Sequence, residues 1–107
     1  MEEPLRKRLT LLLLEMIREL PPPQGLAIRL HIAKIKGAWG WCDIKDTKTR
    51  GRHFLITISK EAPYSIARDT LFHEYAHVLA WFDSDEDHGA SWGYWFSRVY
   101  RMMIDEK

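Results

Sequence analysis

Two histidines and a glutamate, His73, Glu74 and His77, stand in the order His-Glu-x-x-His within the stretch IARDTLFHEYAHVLAWF, residues 66–82, and another histidine, His88, follows downstream. Residues four apart on a helix point from one face, so the rings of His73 and His77 can address a single cation. A catalytic zinc takes three protein ligands and keeps one position for water, and imidazole nitrogens are among its preferred donors. A glutamate beside the two histidines can take the proton of a zinc-activated water as that water attacks a peptide carbonyl, which makes Glu74 the candidate general base. The surrounding residues agree with this chemistry. At about 100° per residue, Leu71, Phe72, Tyr75, Val78, Leu79 and Phe82 cover one broad side of the helix, so it is expected to be largely buried. Past the first turn its only strongly polar residues are His73, Glu74 and His77. A carboxylate buried beside two imidazoles is costly unless a charge compensates it, and a divalent cation does so. The plainer alternative, histidines that merely bond to backbone carbonyls, leaves Glu74 without a partner.

Three candidates compete to complete such a site. His88 comes after an acidic turn (residues 83–87) and before Gly89, where the chain can fold back and present its ring. Asp83 stands six residues past His77, the spacing of the third ligand in metzincins, but those proteins place a glycine where this chain has Ala80. A carboxylate from the last helix, Asp105 or Glu106, would follow the gluzincin plan from a terminus prone to fray. His88 is the favoured ligand.

The elements that must position these residues follow from periodicity. Leu5, Leu9, Leu12, Leu13, Met16, Ile17 and Leu20 recur at helical spacing, an amphipathic helix stopped by Pro21-Pro22-Pro23. Leu26, Ile28, Leu30 and Ile32 alternate with Ala27, Arg29 and His31, a half-buried strand with His31 on its polar side. A second strand is expected over Gly37 to Ile44 and a third over His53 to Ser59, paired as an antiparallel hairpin across the polar turn Lys45 to Gly51. Gly37 and Gly40 allow bends or a close backbone approach. Lys45, Lys48, Arg50, Arg52 and His53 make the hairpin loop basic. Ser65 is a candidate N-cap for the site helix. Trp92, Trp95, Phe96, Val99 and Met103 define a last helix whose aromatic face should pack against it.

A chain of 107 residues suits one domain, residues 1–107, with one core. Its single cysteine, Cys42, excludes an intramolecular disulfide and a four-cysteine zinc ribbon, and a reducing, cytoplasmic setting is expected. The net charge of +1 does not mark a nucleic-acid binder. Arg6-Lys7-Arg8 and the leucines after them look like the start of a signal peptide, but Glu15 closes the apolar run and no stretch is long enough to span a bilayer.

The stretch HEYAHVLAWFDSDEDHGASWGYWFSRV resembles the SprT-like zinc metallopeptidase core, in which HExxH is followed by a His-Gly pair and then an aromatic residue near the start of a helix. His73, Glu74, His77, His88, Gly89 and Trp92 match that pattern, and Ala38-Trp39-Gly40-Trp41-Cys42, then a strand, then Ala62-Pro63, resembles the segment ahead of it. The resemblance implies an α+β, zincin-like fold: an N-terminal helix, a small three-stranded antiparallel sheet, an active-site helix and a C-terminal helix around Zn²⁺. It implies a monomeric metallopeptidase acting on protein or peptide substrates, with DNA-bound or crosslinked proteins as the family's best-known targets. An extended substrate would add a strand along His53 to Ser59, giving Phe54, Ile56 and Ile58 as substrate-binding candidates. Tyr64, Tyr94 and Tyr100 are candidates for a second oxyanion donor. The rival expectation is a nucleic-acid-associated module whose zinc is structural, with Asp83 or Asp87 as a fourth ligand; a third is a latent peptidase with a terminal segment in its cleft.

Overall fold

The computed structural model describes residues 4–83 and 87–105. The chain runs through helix α1 (Leu5–Glu19), strands β1 (Ala27–Ala33), β2 (Gly40–Thr47) and β3 (Gly51–Ser59), helix α2 (Tyr64–Ala80) and helix α3 (Ala90–Tyr100), which ends in a wider π-helical turn over Arg101–Asp105. The fold class is α+β, with three helices and one sheet of three strands. No helix among the described residues is long and apolar enough to cross a membrane.

The sheet is mixed, not antiparallel. Its order is β1-β3-β2, with β2 antiparallel to β3 and β1 parallel to it. The hairpin forms as its alternation suggests, across three residues (Lys48 to Arg50) after Thr47; Gly51 carries a left-handed φ of +66°, which suits a three-residue hairpin turn. The segment from Lys34 to Trp39 carries the chain from β1 past the place of one strand, and β3 then fills that place. Gly37 turns the segment with φ +79°.

Being central, β3 has a neighbour on each edge. Phe54, Ile56 and Ile58 are wholly buried on the face that meets α2, and so is most of the opposite row: His53 and Thr57 are buried as well. The proposed strand addition along His53 to Ser59 is therefore ruled out by geometry, and Phe54, Ile56 and Ile58 are core residues. His53 also leaves the basic loop: its Nδ1–H donates to the Gly51 carbonyl at 2.9 Å, while Lys45, Lys48, Arg50 and Arg52 stay exposed.

Helix α1 lays Leu9, Leu13 and Met16 on the core and turns Leu11 and Leu14 to solvent. Tyr75, on the buried side of α2, reaches the carbonyls of Leu20 and Met16 at the end of α1 with its hydroxyl, joining the two helices. Leu71, Phe72, Val78 and Leu79 are buried with it; Phe82 is not, since the helix ends at Ala80 and leaves that ring partly exposed beside Phe54. Helix α2 starts one residue earlier than its expected cap: Pro63 precedes it and Ser65 lies inside its first turn without capping it.

Candidate metal centre

Three elements bring the site together. The middle of α2 supplies His73, Glu74 and His77; the turn after it supplies His88; α3 supplies the wall behind them. His88 has a left-handed backbone, φ +60°, a conformation that costs an L-residue roughly 1–2 kcal/mol. That turn directs its ring back at α2. Its Nε2 lies 3.0 Å from Nε2 of His77 and 3.0 Å from Nε2 of His73, and the ligating atoms of all three lie within 4.8 Å of one another.

The protonation chemistry of this contact decides what it is for. A neutral imidazole nitrogen either donates one N–H or offers one lone pair. His88 Nε2 can therefore satisfy one of its two close nitrogen neighbours by hydrogen bonding, never both. Burial and the facing rings also hold His73 and His77 unprotonated: desolvation lowers the pKa of His73, and lowers that of His77 to about 4. Three imidazole nitrogens aimed at one point match a cation. Tetrahedral zinc with bonds of about 2.0–2.1 Å separates its nitrogens by roughly 3.3 Å, a few tenths more than found here.

Glu74 is buried against the same helix face, and desolvation, with Asp87 adding to it, raises its pKa to about 7. A dication beside it would pull that value back down and favour the carboxylate. Glu74 and His73 line a cleft of about 500 Å³ with Trp39, Gly40, Ile66, Asp69, Thr70 and Phe96. On the far side of the histidines lies a smaller cleft of about 230 Å³, bounded by His77, Asp83, His88, Ser91 and Trp92 among others. Gly40 is obligatory where it stands, since a Cβ there would lie 2.6 Å from the Thr57 carbonyl oxygen and 2.8 Å from Thr70 Cγ2.

Trp92 is the back wall. Its ring centre is 4.9 Å from His73, 5.5 Å from His77 and 4.8 Å from His88, and it stacks on Phe96 at 5.0 Å with 9° between planes. Its Nε1–H donates to the His73 carbonyl at 3.2 Å, tying α3 to α2 at the level of the site. The expected packing of the last helix's aromatic face on α2 is thus present.

Of the competing third ligands, His88 joins the pair. Asp83 instead accepts a hydrogen bond from Ser91 Oγ. Asp105 ends the π-helical turn, while Glu106 and residues 84–86 of the acidic turn lie outside the described residues. Asp87 faces the outer nitrogens of His77 and His88, at 3.3 and 3.6 Å, so it is not placed to join the cation that their Nε2 atoms address. None of the three candidate oxyanion tyrosines lines either cleft. Tyr64 lies under the Arg8 guanidinium, Tyr100 packs on Phe72 and Phe96, and Tyr94 is exposed beside Trp95. The sequence reading also missed the edge that borders the site. It is the outer edge of β2, whose Gly40 end forms the wall of the cleft that holds Glu74. The near-continuous apolar run of β3 was the available signal, because a strand buried on both faces is usually central.

Comparison with protein-family models, with curated proteins and with solved structures finds no match to this chain.

Proposed function

We propose that this protein is a zinc-dependent metallopeptidase of minimal size, with the zincin-like arrangement that its SprT-like motif implies. The observation that carries the reading is the convergence of three imidazole nitrogens beside a buried glutamate, at the mouth of an open cleft. His73, His77 and His88 hold the metal. When bound, zinc supplies a Lewis acid that brings the pKa of a water to about 7 and polarises a carbonyl. Glu74 takes the proton from the attacking water and hands it to the leaving amine. Burial raises its pKa to about 7 in the metal-free pocket, and a bound dication would restore the carboxylate that the base step needs. Trp92 packs against all three rings and keeps them from turning away.

The substrate is an extended protein segment. It lies in the larger cleft and pairs with the free edge of β2, where Gly40 lets a backbone come close. Recognition through backbone hydrogen bonds gives broad side-chain tolerance, suited to unfolded proteins or to proteins held on DNA. The rival reading of a structural zinc needs a fourth protein ligand, and both Asp83 and Asp87 are engaged elsewhere. Glu74→Gln keeps the volume and removes the base. That variant should bind zinc as wild type does and lose casein hydrolysis by a factor of about 10² to 10⁴. Equal cleavage by the two proteins would end the peptidase assignment.

A further inference from the structure

We propose that Asp87 is a positioning residue that sets the tautomer of two metal ligands at once, an inference that rests on the reading of the histidine cluster as a zinc site. Its carboxylate spans the two rings: Oδ1 is 3.3 Å from Nδ1 of His77 and Oδ2 is 3.6 Å from Nδ1 of His88. The inner nitrogens of the same two rings, the Nε2 atoms, are 3.0 Å apart. Each ring is therefore addressed on its outer nitrogen by a carboxylate oxygen and on its inner nitrogen by the cluster.

An imidazole that binds metal through one nitrogen carries its proton on the other, and a carboxylate beside that proton fixes both tautomer and ring orientation while raising the basicity of the ligating nitrogen. One carboxylate does this for two ligands here because the left-handed backbone at His88 brings consecutive residues to opposite nitrogens of His77. His88 lies at its Nε2 and Asp87 at its Nδ1. The arrangement also balances charge. Three imidazole ligands bring no charge to offset a dication, and the carboxyl groups of Asp87 and Glu74 flank the cluster from the smaller and the larger cleft. The Asp87 side chain is otherwise largely exposed, so nothing in the hydrophobic core depends on it.

The test uses the full chain and zinc alone. Zinc affinity is measured by competition with a chromophoric chelator for wild type, Asp87→Ala and Asp87→Asn, and the imidazole ¹⁵N–¹H correlations of the zinc-loaded proteins are recorded. Asp87→Ala should lose 10- to 100-fold in zinc affinity, with the Nδ1–H signals of His77 and His88 lost to exchange and that of His73 kept. Asp87→Asn, which retains an acceptor oxygen without the charge, should fall between. Metal-free melting temperatures of the three proteins should coincide, which separates positioning from folding. Wild-type affinity and unchanged imidazole signals in Asp87→Ala would overturn the positioning role while leaving the zinc site standing. A wild-type protein that binds no zinc would overturn both.

Discussion

Two histidine environments in this small molecule differ in what faces each ring nitrogen. Next to the hairpin turn, His53 is buried and its Nδ1–H meets a carbonyl oxygen, a pairing complete in itself. At the junction of α2 and α3, His73, His77 and His88 present nitrogens to nitrogens, and Asp87 occupies the outer side of two of the rings. The first holds the start of β3 in place. The second is assembled at the expense of local comfort, with a left-handed histidine and a glutamate whose ionisation is disfavoured by burial. Residues in functional sites often carry such strain, and the surrounding fold must hold them there.

Replacing one histidine in each place should give opposite outcomes, and the larger effect belongs to the cluster. His88→Gly removes the third ligand, and the protein should no longer retain zinc through desalting, as metal analysis would show. The metal-free protein should lose no stability, because glycine accepts φ +60° without the cost a histidine bears. His53→Ala should do the reverse. Zinc stays bound, while the lost packing and the lost bond to the Gly51 carbonyl cost about 1–3 kcal/mol, a drop of roughly 4–8 °C in melting temperature per kcal/mol for a domain near this size. If His88→Gly melted far below wild type without metal, the cluster would be a folding device like His53, and the contrast would collapse.

Gly40→Ala sharpens the same contrast from the side of the cleft. An added methyl group meets the backbone oxygen of Thr57 at 2.6 Å, and backbone cannot yield as a flexible side chain does. The end of β2 must move away from β3 and α2, at about 1–3 kcal/mol. Metal affinity, set on the other side of Glu74, should hold within about threefold, and peptide hydrolysis should fall because the wall of the cleft has shifted. Hydrolysis at the wild-type rate with intact stability would mean that the edge of β2 plays no part in binding substrate.

Sequence made the cluster legible and left the sheet's neighbours obscure, for one physical reason. His73 and His77 are placed by helix geometry over four residues, and His88 needed only a short return of the chain. Both are local relations. Strand alternation likewise placed Leu30 of β1 toward the core, where it is buried. Alternation says nothing about which strand lies beside which, so the parallel pairing of β1 with β3 was not visible, and a substrate edge was placed on a strand that has none free. Phe82 misled in the opposite sense. It continues the apolar periodicity of α2, yet the helix stops two residues before it. Trp92 could be matched to a motif, but only the packing shows why its ring is needed: it touches all three histidines.

The smallest effect belongs to Tyr75, two residues from His73 and on the opposite side of the same helix. Its ring is wholly buried, and burial raises its pKa, so the hydroxyl stays protonated and acts as a donor. It donates to the carbonyl of Leu20, just past the end of α1, with the Met16 carbonyl, which already accepts the Leu20 N–H, at 3.4 Å. Tyr75→Phe keeps the ring and deletes the donor, which should cost about 1 kcal/mol by equilibrium denaturation, since one buried hydrogen bond is lost and its acceptor retains little else. Zinc affinity should not change, because the packing of α2 on the core, and not this single bond, holds the face that carries His73 and His77. A Tyr75→Phe protein that bound zinc tenfold more weakly would show that α1 tunes the cluster through the helix, and the two sides of α2 could no longer be treated as independent.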